Sequence, residues 1–173
     1  MNNNDILIRL RYALDIKDND MIYIFKLGGI DVTKEELQRM LLKVKKSSDV
    51  ESDDDFEAHA DMKKCNNYMF ESFLNGFIIF KRGKQEPRQG EPEKPVLMIK
   101  DNKSVNNVMM KKVKIALSLT SEDILSILNE TGVNLSNGEL SAIFRKEGQR
   151  NYKECGDRYA RNFLKGLAIR YRK

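Results

Sequence analysis

Phe73-Leu74-Asn75-Gly76-Phe77-Ile78 returns 90 residues later as Phe163-Leu164-Lys165-Gly166-Leu167-Ala168. Both runs space their apolar residues three and four apart, the period of one helix face. Both also place a glycine in mid-helix, where it costs about 1 kcal/mol relative to alanine. Its repetition predicts that another backbone comes close at that point. At the same offset Lys63 falls on Lys153, Cys65 on Cys155, Ile79 on Ile169 and Arg82 on Arg172. Upstream the correspondence continues without a gap at an offset of 103, pairing 4–43 with 107–146. Asn4 there meets Asn107, Ala13 meets Ala116, Asp20 meets Asp123, Gly29 meets Gly132 and Glu36 meets Glu139. The chain is therefore an internal duplication. The drop in offset from 103 to 90 gives the first copy 13 additional residues between its blocks, in the acidic stretch around 47–61.

Each copy reads as four short helices. In the first, Ile6, Leu7, Leu10 and Leu14 form the apolar face, with Arg9 and Arg11 turned away. The second is expected to start at Asp18, whose carboxylate can accept free backbone N–H groups, and to stop at Gly28-Gly29. The third opens on Thr33 with Glu36 three residues on, a pattern in which hydroxyl and carboxylate each satisfy the other's backbone N–H; Ser136 and Glu139 repeat it. The fourth spans 68–82 in one copy and 158–172 in the other. No strand pattern extends beyond a few residues. The expected fold is all-α, a tandem duplication of a four-helix unit joined by a proline-containing linker. Repeat 1 is placed at 1–83, with the acidic insertion at 47–61. The linker is placed at 84–103 and holds Pro87, Pro92 and Pro95; repeat 2 is placed at 104–173.

The two blocks together resemble the YehS-like family of small duplicated helical bacterial proteins. In copy one the resemblance rests on Asn4-Asp5-Ile6-Leu7, Arg11-Tyr12-Ala13-Leu14, the 73–78 run and Lys81-Arg82-Gly83. In copy two it rests on 111–117, Glu154-Cys155-Gly156-Asp157 and the 163–167 run. It covers nearly the whole chain apart from the acidic insertion and the linker. It implies a bacterial cytoplasmic protein with a tandem all-helical fold, and it brings no catalytic residues with it.

Composition narrows the function classes. At 173 residues and 40% hydrophobic the chain can build a core without staples. It has no apolar run of the roughly 18 residues that a membrane span needs. The opening Met1-Asn2-Asn3-Asn4-Asp5 has no basic region of a secretory signal. Two cysteines and one histidine are too few for a disulfide framework or a Cys/His metal cage. No cofactor, metal ion or membrane contact is expected, and the compartment expected is the cytoplasm.

Chemistry-bearing residues are sparse. His59 lies in the acidic stretch without a calcium-loop spacing or an orienting partner, and it reads as part of a solvated loop. Cys65 and Cys155 precede the last helix of each copy and read as small buried side chains. The second and third helices allow a helix-turn-helix reading, but acids at the start of the third argue against insertion into a major groove. Net charge is +5 and uneven: residues 44–61 are strongly acidic, whereas 158–173 hold no acid. The candidate polyanion-binding residues are Arg158, Arg161, Lys165 and Arg172 of the last helix, with Lys111 and Lys112 as a second cluster. Tyr152, Tyr159 and Tyr171 are candidate stacking surfaces. With no acid–base constellation in view, the sequence points to a non-enzymatic module for protein association or self-association through the groove between repeats. The alternative is weak, largely sequence-independent nucleic acid or ribosome binding through the basic face of repeat 2.

Overall fold

Side-chain caps decide where most of the helices begin. Thr33 and Glu36 open one helix and Ser136 and Glu139 its counterpart, each pair exchanging the two expected hydrogen bonds. Thr120 and Asp123 cap in the same way. The computed structural model describes residues 1–42, 63–83 and 97–172. The acidic insertion with His59, and linker residues 84–96, lie outside the described residues. Among those described there are eight helices and no strand: α1 (Asn3–Leu14), α2 (Asp18–Leu27), α3 (Lys34–Met40), α4 (Asn67–Arg82), α5 (Val105–Ala116), α6 (Ser121–Glu130), α7 (Asn137–Phe144) and α8 (Asp157–Tyr171). The start of α2 corrects the expectation for Asp18. Lys17 is the cap residue and makes no side-chain capping bond, while the Asp18 carboxylate accepts from Arg11 Nη2 at 2.6 Å. A guanidinium one loop away offers that carboxylate a charged partner in place of the cap.

One set of buried bonds is the same in both copies. Asn4 Nδ2 donates to the carbonyls of Met40 and Lys63, and its Oδ1 accepts from Cys65 N. Asn107 does the same with Ile143, Lys153 and Cys155. These buried amides fasten the first helix of each copy to the end of the third and to the chain entering the fourth. The mid-helix glycines answer to each other as well. Both are buried; a Cβ on Gly76 would fall 1.9 Å from Ile24 O, and one on Gly166 2.5 Å from Ile127 O, the residue that corresponds to Ile24. The close approach predicted from sequence is therefore between the fourth helix of each copy and the second.

The copies do not stand side by side. The first helix of each copy packs on the last helix of the other: α1 lies against α8, and α5 against α4. Helices α1 and α4 of the same copy scarcely meet. Two corresponding seams thus hold the halves together, α1–α8 and α4–α5. One core runs through both, with Ile6, Leu10, Phe73, Phe77, Val113 and Phe163 among its buried members. No helix among the described residues is long and apolar enough to cross a membrane.

Candidate anion-recognition cleft

The α4–α5 seam is sealed by a charge pair. Glu71 is 0% exposed and Lys112 6%, and Lys112 Nζ stands 3.2 Å from Glu71 Oε2. Lys112 also donates to Asn75 Oδ1. The remaining Glu71 lone pairs are taken by backbone N–H groups of the chain arriving at α5, from Met98 at 2.6 and 2.8 Å and from Ile99 at 2.7 Å. Burial holds the Lys112 ammonium below its ordinary pKa, and the Glu71 carboxylate opposes that shift. A buried pair persists when geometry is good and its spare lone pairs are bonded, and both conditions are met here.

The α1–α8 seam has the same helices in the same relation with the opposite outcome. At the offsets of 90 and 103, Glu71 corresponds to Arg161, Asn75 to Lys165, and Lys112 to Arg9. Three cations occupy the places that hold a carboxylate, an amide and one ammonium in the sister seam. This seam is open as a cleft of about 670 Å³, in which Arg9, Arg161 and Lys165 stand with Tyr12 above an apolar lining of Ile8, Leu164 and Ala168. All three cations are exposed. Among the described residues none of them has a side-chain hydrogen bond or salt bridge. Asp5 also lines the cleft, but its carboxylate accepts from Asn2 N at 3.1 Å in the cap of α1. Arg172 closes one end: it donates to Tyr12 O at 3.0 Å, lies 4.1 Å from the Tyr12 ring centroid and stands 3.8 Å from Asp15.

The structure divides the six candidate cations. Arg161 and Lys165 line the cleft, Arg158 is exposed on the same helix, and Arg172 is held at its end by Tyr12 and Asp15. Lys111 belongs to a different and much smaller hollow, beside Met98 and Phe144. Lys112 is corrected outright: it is buried against Glu71 and faces no solvent from which a polyanion could approach. A signal for this was in the sequence, since Lys112 falls in register with Val105, Val108, Met109, Val113 and Ala116 on the apolar stripe of α5. Arg9, Tyr12 and Glu71 were not singled out from the sequence. The charge reversal between aligned positions 71 and 161 was the clue that could have found them.

The other candidates are structural or inert. Cys65 and Cys155 are both 1% exposed, and burial pushes each thiol up to about 12, far from a nucleophile's range. Tyr159 is half-buried with Lys153 Nζ over its ring, Tyr152 is half-buried, and Tyr171 is exposed. A second cavity of about 550 Å³ lies where the two copies meet near the N-terminus, and its asparagines and Asp157 are engaged with one another and with the backbone, while Lys64 also lines it. Asn3 Nδ2 donates to Cys65 O and Asn67 Oδ1, its counterpart Asn106 Nδ2 to Cys155 O and Asp157 Oδ1. The Met1 ammonium bonds Asp157 Oδ2 at 3.0 Å. The cleft at α1–α8 differs in gathering three cations, Arg9, Arg161 and Lys165, none of which makes a side-chain hydrogen bond or salt bridge among the described residues.

Known proteins share this architecture in sequence. The family described as "Protein of unknown function (DUF1456)" matches residues 3–83 and 106–173, one segment in each copy. The uncharacterized protein YehS of Escherichia coli (strain K12) is 37% identical over 171 residues, which is 98% of this chain and 96% of that protein. No solved structure matches.

Proposed function

The chain belongs to the DUF1456 family, and from that premise we propose that it is a non-enzymatic binding module whose docking site for an anionic partner is the α1–α8 cleft. One observation carries the reading. Where the sister seam neutralises its buried charge internally, this seam leaves Arg9, Arg161 and Lys165 together and open to solvent. Like charges gathered without partners raise the local potential and draw an opposite charge into the cleft. The apolar lining below them supports holding more than an isolated ion. The non-enzymatic reading rests on the cleft's side chains, which are cationic, aromatic and apolar; its single acid is engaged in a helix cap, so no general base faces an acid across it. A cytoplasmic setting suits the two free, buried thiols.

The test is a fluorescence titration of the full chain with two labelled polyanions, poly-L-glutamate and poly(U), at low and moderate salt. At least one is expected to bind, more weakly as salt rises, and to be lost when Arg9, Arg161 and Lys165 are all changed to glutamate. Absence of binding to both at low salt, or binding that the triple change leaves untouched, overturns the reading.

A further inference from the structure

We infer that the occupant of the α1–α8 cleft is a segment of acidic protein chain in which carboxylate and apolar side chains alternate. The inference rests on the anion-binding reading above and adds the chemistry of the partner. The lining has two characters. Arg9, Arg161 and Lys165 supply three cations, and Ile8, Leu164 and Ala168 supply an apolar floor. A ligand that satisfies both must carry separated negative charges with greasy groups between them.

A phosphodiester strand does not match this pattern. It presents a charge at every unit and gains from a continuous cationic track. The cations here are interrupted. Asp5 stands inside the cleft, and Asp15 neutralises Arg172 at the far end. Asp157 lies one helical turn before Arg161; the Asn106 amide and the N-terminal ammonium lower its pKa, and Arg161 adds a little to that. Lys112, which would have lengthened the track, is buried in the other seam. The carboxylates of a peptide can be spaced to meet three cations and miss those acids.

The sister seam shows the same kind of match within the chain. There a glutamate carboxylate meets a lysine ammonium and two backbone N–H groups, the ammonium also donates to the Asn75 side-chain oxygen, and the half-buried side chains of Met98 and Ile99 pack against the core beside it. In the α1–α8 seam the cationic side is kept, as Arg9, while the carboxylate and the amide are replaced by Arg161 and Lys165. Among the described residues no carboxylate of the seam answers these cations, so a ligand has to bring them. Arginine favours this class of ligand, since its planar fork meets a carboxylate with two parallel hydrogen bonds.

The experiment compares three labelled probes of equal formal charge against the full chain: a peptide alternating Glu and Leu, a peptide alternating Glu and Ser, and an oligouridine. The Glu–Leu peptide is expected to bind about tenfold or more tighter than the Glu–Ser peptide, as burial of even one leucine side chain provides, and tighter than the oligouridine. Arg9→Ala, on an exposed side chain, is expected to weaken the Glu–Leu peptide at least about tenfold while the melting curve stays in place. Arg161→Glu with Lys165→Asn, which installs the sister seam's residues opposite Arg9, is expected to abolish binding by filling the cleft from within. Equal affinity for the two peptides, or tighter binding of the oligouridine, overturns the acidic-peptide inference and leaves the anion-binding reading standing. Failure of all three probes at low salt overturns both.

Discussion

At the α4–α5 seam a buried carboxylate meets a buried ammonium, and the chain entering α5 covers the pair with two backbone N–H groups. At the matching places of the α1–α8 seam three cations face an open cleft. The helices, the glycine contacts and the asparagine clamps are the same in both halves. Equal architecture with opposite chemistry separates what the fold requires from what it merely permits. The fold needs each first helix to cover the other copy's last helix; it does not need the polar end of that contact to be sealed. One seam therefore carries the fixed pair, and among the described residues the other is left free to hold a further group.

The most severe way to break the comparison is to separate the copies. Residues 1–83 alone leave α1 without α8 and α4 without α5, and residues 104–173 alone leave the complementary faces bare. Each half then exposes much of its core, and neither is expected to fold as a monomer. Circular dichroism and size exclusion on the two fragments would show unfolded or self-associated species, and mixing them would restore helicity. A half that melts cooperatively as a monomer would show that the seams are secondary to packing within a copy.

Equivalent point changes come next in size. Glu71→Ala leaves the Lys112 ammonium buried without its counter-charge, and breaking a buried pair in this way costs about 3–5 kcal/mol. Arg161→Ala, at the corresponding position, removes an exposed side chain and should stay within about 0.5 kcal/mol. Urea denaturation of the two variants gives the contrast directly. Similar losses at both sites would mean that Arg161 already has a structural partner, and the cleft would no longer stand apart.

Much of this architecture was legible in the chain. Duplication at two offsets, helix stops at Gly29 and Gly132, and caps at Thr33 and Ser136 are local signals, and the structure carries each of them out. The matched glycines announced a close contact correctly but not its partner, because periodicity identifies a buried face without saying what buries it. The crossing of the copies was invisible for the same reason. A chain whose halves are alike supplies two equally apolar mates for every helix. Lys112 misled because it stands between Lys111 and Lys114, and charge runs are read along the sequence while burial follows the helix face. Arg9 was set aside as turned to solvent; its importance rests on α8, which lies more than a hundred residues away in the chain.

The smallest expected effect sharpens the comparison at the start of the second helix in each copy. In α6 the Thr120 hydroxyl accepts from Asp123 N at 3.1 Å and the Asp123 carboxylate accepts from Thr120 N at 2.9 Å. In α2 the matching residues are Lys17 and Asp20, and Lys17 offers no side-chain cap. The Thr120 backbone bond, then its hydroxyl, holds the Asp123 carboxyl below the ordinary carboxylate value, with Arg170 adding to this. The Asn106 amide and then the N-terminal ammonium lower Asp157 in the same direction. Carboxyls lowered in the folded state bind fewer protons than in the unfolded chain, so stability rises with pH through the acid range. Their contribution is complete at neutral pH and is lost as the pH falls below about 5 and through the folded values. Thr120→Ala is expected to cost about 1 kcal/mol at neutral pH, the usual loss for a threonine cap. The gap from wild type should narrow in acid, where protonated Asp123 no longer answers the cap. Lys17→Thr should gain a few tenths of a kcal/mol, because Asp20 already stands where Asp123 does in the capped copy. Melting temperatures of the three proteins across the acid range decide it. A Thr120→Ala gap that does not change with pH would mean that the Asp123 carboxylate adds nothing to the cap of α6.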